Sequence, residues 1–241
     1  MENVTVDLNS RSLYIEPNTK FYRFKRKLKT SPILKRIRKI VQKNQTFSLL
    51  EIGTGSGFLI AFLESEFPQA ELTGLEYDHR LVALSQSKVK NANIIHGNAE
   101  NFDLKDKTFD IIVSLQVIEH LYNPELMLTS VKKHLNRNGI FILTTPNLES
   151  LSAKYMKNKW HGYKSDHVSL KSYTEWKTFI EKNGFTSIYC GSTFFTGIPI
   201  FNKLPLGLIN WGLLFFIGSI KWKHGESFIG IFRLDNNKMN N

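Results

Sequence analysis

One short stretch of this chain constrains its fold more than any other, the run SLLEIGTGSGFL at residues 48–59. An apolar segment ends in an acid, and three glycines alternate with small residues before a second apolar segment begins. The first segment is typical of a buried strand and the second of a helix. Glycines permit a tight turn and let a ligand approach the main chain closely. The run therefore predicts a strand, a nucleotide-binding loop and a helix.

Strand and helix signals continue to alternate after that unit. Strands are predicted at FSLLEI, AELTGLE, ANIIHG, TFDIIVSLQ and GIFILTTPN, with helices between them at GFLIAFLESEF, DHRLVALSQSKVK and NPELMLTSVKKHLN. Asp78 is predicted to cap the second of these helices. A later helix, SYTEWKTFIEKNG, begins with the capping box of Ser172 and Glu175, and FTSIYCG and ESFIGIFRL predict two more strands. This alternation predicts an α/β fold with helices on both faces of a parallel sheet.

The spacing of the glycines narrows the choice of ligand. Gly53, Gly55 and Gly57 form GxGxG, whereas the dinucleotide fingerprint GxGxxG needs a glycine where Phe58 stands. No Lys-Ser/Thr pair follows, so the loop is not a P-loop. Glu51 lies two residues before the first glycine, where a carboxylate would repel a phosphate and attract a cation. The pattern favours S-adenosylmethionine, which carries an ammonium and a sulfonium group.

A second acid supports this interpretation. Glu76 ends the second predicted strand, about twenty residues after the glycine loop. An acid at the tip of that strand accepts hydrogen bonds from ribose hydroxyls in nucleotide-binding sheets. The alternative is a solvated charge at a strand end.

Together, LLEIGTGSG, LTGLE, GNAENF, FDIIVSLQVIEHLYNP and LNRNGIFILTTPN make residues 47 to about 190 resemble a class I S-adenosylmethionine-dependent methyltransferase. The resemblance implies a Rossmann-like, doubly wound sheet of seven strands, mostly parallel, with an antiparallel last strand. It also implies that GNAENF holds the adenine edge, with Asn98 in place of the usual acid. The cofactor-binding residues that it implies are Glu51, Gly53, Thr54, Gly55, Gly57, Glu76, Tyr77, Asn98, Ala99, Glu100 and Leu115.

VIEHL, TTPN and HGYKSDHVSLKSYTEWKTFIEKNGF resemble a narrower group. It includes ubiquinone-pathway O-methyltransferases, bacterial methyltransferases associated with glycan or lipid biosynthesis, and small-RNA 2′-O-methyltransferases. Some members bind a divalent metal through a Glu-x-x-Glu-His run and a distant histidine. Here Gln116, a poor ligand, replaces the first glutamate, so no metal is predicted, and Glu119, His120 and His167 are the candidates if one binds. Otherwise Glu119 and His120 line the acceptor pocket without a metal.

Methylation of a hydroxyl requires removal of its proton, so a base should lie within hydrogen-bond reach. His167 is the first candidate, because histidine titrates near neutrality and Asp166 precedes it. His120 is the second, and Glu119 completes the predicted catalytic set. The alternative for either histidine is a hydrogen-bonded pocket or loop residue. Elsewhere, His134 is expected to be solvated on a helix, and Cys190 is expected to be a buried, inert thiol.

The positive charge of the chain is concentrated near its start. The net charge is +11, from 32 Lys and Arg against 21 Asp and Glu. Residues 18–49 contain no acid and eleven of the basic residues, so the rest of the chain is balanced. Pro32 is predicted to open a second helix in this segment, with Ser31 as its cap. A separate basic segment predicts an anionic partner, which is a membrane surface, a phosphorylated substrate or RNA.

A second unusual segment lies between the last two predicted strands. Residues 204–220 carry no charge, but they contain Pro205 and are marginal for a spanning helix, which needs about 20 apolar residues. A span would also leave the two adjacent strands on opposite sides of the membrane. A hairpin or amphipathic element in the membrane surface is favoured, because Trp211, Trp222 and nearby lysines suit an interface. The alternatives are an apolar lid over the active site and a dimer interface.

We therefore expect a basic N-terminal segment at 1–46, a methyltransferase domain at 47–234 and a disordered tail at 235–241. Within the domain, 148–171 is expected to be a lid and 194–224 an apolar insertion. The polar N-terminus does not resemble a signal peptide, which favours a cytoplasmic protein, peripheral at the inner membrane face. The leading hypothesis is O-methylation of a small or lipid-linked acceptor there. The alternatives are an RNA 2′-O-methyltransferase and a non-catalytic, methyltransferase-like membrane or assembly factor.

Overall fold

A single eight-stranded sheet organises the chain, and the computed structural model describes residues 20–41 and 45–235. The strand order is β3-β2-β1-β4-β5-β8-β6-β7. The strands are β1 (Ser48–Ile52), β2 (Glu71–Glu76), β3 (Asn93–His96), β4 (Phe109–Leu115), β5 (Leu135–Pro146), β6 (Phe185–Thr193), β7 (Ser219–Ile220) and β8 (Ser227–Leu234).

Seven α-helices occur in the described part of the chain. They are α1 (Lys20–Ile40), α2 (Phe58–Glu66), α3 (His79–Gln86), α4 (Pro124–His134), α5 (Leu151–Met156), α6 (Tyr173–Lys182) and α7 (Leu206–Phe216). The predicted caps are confirmed. The Asp78 carboxylate accepts from the N–H of Arg80, and Ser172 and Glu175 form a reciprocal capping box at the start of α6.

The direction of the strands confirms the predicted doubly wound sheet. Strands β1 to β5 pair in parallel, whereas β8 lies antiparallel between β5 and β6. The two-residue strand β7 adds an eighth strand beside β6. The carboxyl ends of the parallel strands share one edge, which is where open α/β sheets bind their ligands.

Apolar side chains point to both faces of the sheet, which explains why helices cover both faces. In β4, Ile112 packs into the hydrophobic cluster on one face, and Ile111 and Val113 pack into the cluster on the other. Successive side chains of a strand point to opposite faces, so an apolar strand needs cover on both. Helices α4 and α6 cover the first face, and α1, α2 and α3 cover the second.

The structure corrects one expectation about the basic segment. Residues 1–19 and 42–44 lie outside the described residues, but α1 runs unbroken through Pro32 instead of starting again there. Proline lacks the N–H that would bond to the carbonyl of Leu28, and the Ser31 hydroxyl donates to that carbonyl instead at 2.8 Å. Ile33 and Ile37 of α1 are buried in the core, so this helix packs against the sheet.

The apolar insertion at 194–224 folds against the end of α1. It contains a 3-10 helix at Pro199–Asn202, then α7 and β7. Lys35 of α1 donates to the carbonyls of Phe215 and Phe216, which lie at the negative end of α7. No helix within 20–41 or 45–235 combines the length and the apolar character needed to cross a membrane.

Helix α7 buries its polar residue Asn210 together with Leu214, and it exposes several of its other apolar residues. Asn210 is only 5% exposed, and its side chain exchanges two hydrogen bonds with the backbone of Thr196. Leu208 is 62% exposed, Ile209 61% and Phe216 77%. A helix on the surface of a globular protein normally has the opposite arrangement.

The sequence also predicts the burial of two further residues, His134 and Cys190. His134 is fully buried, which corrects the expectation that it is solvated. Its Nε2 accepts from the N–H of Leu104, and its Nδ1 donates to the carbonyl of Lys107. Cys190 is partly buried in β6, and burial raises the pKa of its thiol to about 11, which keeps it protonated and unreactive.

The packing of α1 predicts how two isoleucines on this helix differ. Ile37→Ala removes a fully buried side chain and should lower the free energy of unfolding by about 2–5 kcal/mol. Ile40→Ala makes the same change on the exposed side of the helix and should cost about 0.5 kcal/mol. Urea denaturation measures both values. Equal, small effects would mean that α1 does not belong to the core.

Candidate functional site

Three glycines in the loop after β1 have a left-handed backbone conformation. The φ angles of Gly53, Gly55 and Gly57 are 75°, 53° and 76°. Residues with a side chain rarely adopt such positive φ angles. At Gly57 a Cβ would also lie 2.7 Å from the backbone of Ser85 in α3. At Gly55, by contrast, a Cβ would meet no atom within 4 Å. The loop therefore presents open backbone at Gly55 while its other end packs tightly.

The carboxylate of Glu76 connects this loop to the end of β2. One oxygen accepts from the N–H of Gly55 at 2.7 Å, and the other accepts from the N–H groups of Tyr77 and Asp78 at 2.9 and 3.0 Å. An ionised carboxylate offers about four acceptor sites, so at least one is left for a ligand hydroxyl. Glu76 is thus held at the sheet edge with capacity to bind a ribose.

Two further buried polar groups come from β1 and from the loop itself. Glu51, in β1, is 4% exposed. The hydroxyl of Thr54 is buried, and no hydrogen-bond partner for it occurs among the described residues. A buried carboxylate and an unsatisfied hydroxyl beside open backbone suit a ligand that carries both a cation and hydrogen-bonding groups. The residues present therefore fit S-adenosylmethionine.

The ends of β2, β3 and β4 place the other predicted cofactor residues along the same edge. Asn98 is exposed after β3, and its amide oxygen accepts from the N–H of Glu100 at 2.9 Å. The Glu100 carboxylate accepts in turn from the N–H of Asn123. Around them lie half-buried Ala99, exposed Tyr77 and half-buried Leu115.

A strained residue follows β4. Gln116 has a φ of 58°, its N–H donates to the carbonyl of Thr144, and its side-chain amide donates to the Thr144 hydroxyl at 3.3 Å. A non-glycine residue in this conformation costs about 1–3 kcal/mol and is common at functional sites. The turn leads into a 3-10 helix, Ile118–His120, which carries two of the predicted catalytic residues.

The structure brings the three predicted catalytic residues together. The rings of His120 and His167 meet edge to face, with centroids 4.6 Å apart. Glu119 lies beside them, and all three can offer a ligand atom within 4.8 Å of the others. Ser169 holds the two segments together, because its N–H donates to the carbonyl of Glu119 and its hydroxyl donates to the carbonyl of Leu121.

The hydrogen bonds of the histidines define how each ring is oriented. Nδ1 of His167 donates to the carbonyl of Gly162 at 2.8 Å, and burial lowers the pKa of this histidine. Its ring is therefore neutral at pH 7, with Nε2 as the acceptor atom. Nδ1 of His120 lies 3.0 Å from the carbonyl and 3.2 Å from the carboxylate of Asp166.

Glu119 differs chemically from the exposed acids of the chain. It is fully buried, and one carboxylate oxygen accepts from the Thr145 hydroxyl at 3.1 Å. Burial raises the pKa of its carboxyl to about 8. The other oxygen has no hydrogen-bond partner among the described residues. One carboxylate and two imidazoles fit a divalent cation, whereas Gln116 is turned toward Thr144.

Sequence reasoning missed one further buried carboxylate at this edge. Glu226, just before β8, accepts from the indole N–H of Trp160 at 2.6 Å and from the N–H of Gly197 at 2.8 Å. Nε2 of His161 lies 3.2 Å from it. Trp160 is fully buried here, whereas Tyr163 is half exposed. The only available signal was an acid at the start of an apolar strand.

Comparisons with known proteins identify the family of this chain. A family model described as a methyltransferase domain matches residues 22–189. The chain is 33% identical over 102 residues to a probable S-adenosylmethionine-dependent methyltransferase of Mycolicibacterium smegmatis, covering 41% of this chain and 38% of that protein. It is 24% identical over 155 residues to a malonyl-(acyl-carrier protein) O-methyltransferase of Paenibacillus sp., covering 59% of this chain and 56% of that protein. The chain thus spans about half, or less, of the length of these relatives.

A solved structure shows the same fold. The plantazolicin methyltransferase BpumL, in complex with a pentazolic desmethylPZN analog and SAH, superimposes with a TM-score of 0.60 and 17% sequence identity. The superposition covers 91% of this chain and 87% of that chain. At this level of identity the likeness concerns the fold alone.

The raised pKa of Glu119 predicts a pH-dependent stability. Between the ordinary value of 4.5 and about 8, the folded chain keeps a proton that the unfolded chain releases, so the free energy of unfolding falls as pH rises. The slope should approach about 1.4 kcal/mol per pH unit. Urea denaturation from pH 5 to pH 9 with a chelator present should show this slope in the native chain.

Glu119→Gln should lose that contribution to the slope, since its amide does not titrate. Glu125→Gln, at an exposed glutamate of α4, should keep it. An identical pH dependence in the native chain and in Glu119→Gln would contradict the assignment.

Proposed function

The chain belongs to the methyltransferase-domain family, and on this premise we propose that it methylates a hydroxyl of a small or lipid-linked acceptor at the inner face of a membrane. S-adenosylmethionine, the methyl donor of the class I family, supplies the methyl group when it is bound. The observation that carries the proposed activity is the Glu76 carboxylate, held by Gly55, Tyr77 and Asp78 at the edge of the sheet.

Each predicted binding residue has a role in the proposed complex. Glu76 accepts from the ribose hydroxyls through its remaining acceptor capacity. Glu51 lies where a buried carboxylate attracts the ammonium of the methionine end. Asn98 and Ala99 contact the adenine, and the exposed backbone at Gly55 lets the ligand lie against the loop.

The cluster of Glu119, His120 and His167 supports transfer to oxygen. As the new carbon–oxygen bond forms and the carbon–sulfur bond breaks, the acceptor hydroxyl gives up its proton. Nε2 of His167 is the proposed base, because Nδ1 already donates to Gly162. Alignment of the reacting atoms supplies most of the remaining rate enhancement, about 7–11 kcal/mol in favourable cases. If a divalent cation binds, these three side chains would hold it and it would polarise the acceptor oxygen.

The reversed polarity of α7 supports a membrane as the partner. Leu208, Ile209 and Phe216 form an exposed apolar surface, which we call the α7 face. Lys203 and Lys221 flank it and are exposed. An apolar surface of this kind next to basic residues matches a bilayer that contains anionic lipid. Membrane contact here would place the adjacent sheet edge near lipid-linked acceptors.

The alternative of RNA methylation has less support. Lys35 caps α7, Arg36 lies 3.8 Å over the ring of Tyr189, and Arg38 pairs with Glu66 at 2.6 Å. These three basic residues are engaged within the protein, so fewer are available for phosphates. A non-catalytic role is also disfavoured, because the glycine loop and the Glu76 contacts are intact.

Glu76→Ala should weaken binding of S-adenosylmethionine at least about ten-fold, since hydrogen bonds to a charged group contribute about 1.5–3 kcal/mol each. Calorimetric titration measures this change. The matched control is Glu71→Ala, the same substitution at the exposed opposite end of β2. Equal affinity in Glu76→Ala and the native chain would contradict the proposed cofactor site.

Methyl-labelled S-adenosylmethionine should then identify the acceptor in host extract separated into lipid, polysaccharide, RNA and small-molecule fractions. We expect label in the lipid fraction, and loss of that label with Glu76→Ala. Label in RNA would contradict the proposed acceptor and reassign the basic residues to phosphate binding. Cofactor binding without label in any fraction would favour the non-catalytic alternative.

The α7 face predicts binding to vesicles of phosphatidylcholine and phosphatidylglycerol in equal parts. Leu208→Ser/Phe216→Ser should reduce binding at least about ten-fold, because each apolar side chain contributes about 1.5–3 kcal/mol when it is buried. Leu126→Ser/Ile188→Ser removes two exposed apolar residues elsewhere and should leave binding unchanged. Cosedimentation measures both variants, and equal binding of the two would exclude the α7 face as the membrane contact.

A further inference from the structure

A cavity lies at the same edge of the sheet as the candidate site, beneath α7. Its volume is about 210 Å³. Leu151 comes from the start of α5, Phe194 and Phe195 follow β6, Leu213 lies on α7 and Trp222 precedes β8. All of these segments lie at the carboxyl ends of β5 and β6 or at the start of antiparallel β8, which is the edge of the sheet that also carries Glu119 and Thr145.

The chemistry of the lining is apolar. No Asp, Glu, Lys or Arg lines the cavity. Its polar side chains have partners within the protein: Asn210 bonds to the backbone of Thr196, and the Ser152 hydroxyl lies 3.0 Å from the Thr196 hydroxyl. Nδ1 of His224, which also lines the cavity, lies 3.1 Å from the carbonyl of Glu149. Polar groups that are satisfied within the protein offer little to a polar ligand. The surfaces left for a ligand are aromatic rings and aliphatic side chains.

The size of the cavity suits part of a molecule and not a whole one. Pockets that enclose a complete small ligand typically measure about 300–1,000 Å³. Leu151 is about half exposed and Phe201, which also lines the cavity, is 42% exposed. The wall therefore reaches the protein surface next to the α7 face, and a ligand can extend beyond it.

A series of direct contacts joins the cavity wall to the proposed base. The N–H of Gly197, which follows the wall residue Thr196, donates to Glu226 at 2.8 Å. Glu226 accepts from the indole N–H of Trp160, whose ring packs directly against Gly162. The carbonyl of Gly162 orients His167. Three hydrogen bonds and one packing contact, between the Trp160 ring and Gly162, thus connect the cavity wall to the base.

We propose that this cavity binds the apolar chain of the methyl acceptor, an acyl or isoprenoid segment, while the hydroxyl of the same molecule lies at His167. The inference rests on the proposed function, since it assigns the substrate class of that site. A chain bound here can pass from the membrane at the α7 face into the cavity without exposure to water. The cavity would then select amphiphiles over polar acceptors.

The test uses 1-hexanol, 1-octanol and 1-decanol as probes, titrated calorimetrically without vesicles and without S-adenosylmethionine. Affinity should rise about four-fold per methylene until the cavity is filled and should then level off. Leu213→Trp places extra bulk in the cavity and should reduce the affinity for 1-octanol at least ten-fold. Leu126→Trp, the same substitution at an exposed position of α4, should leave it within two-fold of the native value.

Circular dichroism and cofactor affinity show whether each variant is folded. If Leu213→Trp does not fold, Leu213→Phe replaces it in the test. This variant adds less bulk and should still reduce the affinity for 1-octanol several-fold. Absent binding, or equal affinity in the folded Leu213 and Leu126 variants, would overturn the proposal. Because the probes need neither cofactor nor turnover, alkanol binding without methylation would refute the proposed function alone. Methylation without selective alkanol binding would refute the chain-binding cavity alone.

Discussion

The carboxylate of Glu76 is the contact on which the candidate site depends. It accepts N–H groups from the loop after β1 and from the segment that starts α3, so it fixes the ends of β1 and β2 relative to each other. The loop can reach it only because Gly53 and Gly55 adopt left-handed conformations. Removing the carboxylate would leave the N–H groups of Gly55, Tyr77 and Asp78 without this partner. One side chain therefore organises the edge at which the cofactor is proposed to bind.

Most of the sheet could be predicted from sequence because its signals are local. The glycine loop, the strands on either side of it and the caps at Asp78 and Ser172 each depend on residues within one turn or strand. The errors arose where a distant or unusual partner decides the structure. His134 is buried because Leu104 and Lys107, about thirty residues away, satisfy both ring nitrogens. Proline ends most helices, but α1 continues because a serine hydroxyl replaces the missing donor.

Part of the candidate site could likewise be predicted from local sequence signals, and part of it could not. The residues at strand ends could be placed on one edge, because the carboxyl ends of parallel strands coincide. The proximity of Glu119, His120 and His167 followed only from a resemblance, and the protonated state of Glu119 depends on burial that no sequence motif encodes. The role of Glu226 could not be predicted from an acid before an apolar strand alone, since its partners Trp160 and Gly197 come from two distant segments of the chain.

Helix α1 and the apolar insertion at 194–224 form one structural unit. The sequence predicts the apolar insertion and the basic segment as separate features. In the structure, Lys35 of α1 donates to the last carbonyls of α7, and Gly218 packs against Pro32. This contact turns Asn210 inward, where Thr196 satisfies it, and leaves the apolar side of α7 exposed. In water such an arrangement is unfavourable, because each exposed aliphatic side chain forfeits about 1.5–3 kcal/mol of burial. In the proposed function, a neighbouring bilayer would remove that cost, and the cavity, whose wall reaches the same surface, would give the exposed helix a role in substrate entry as well as in attachment.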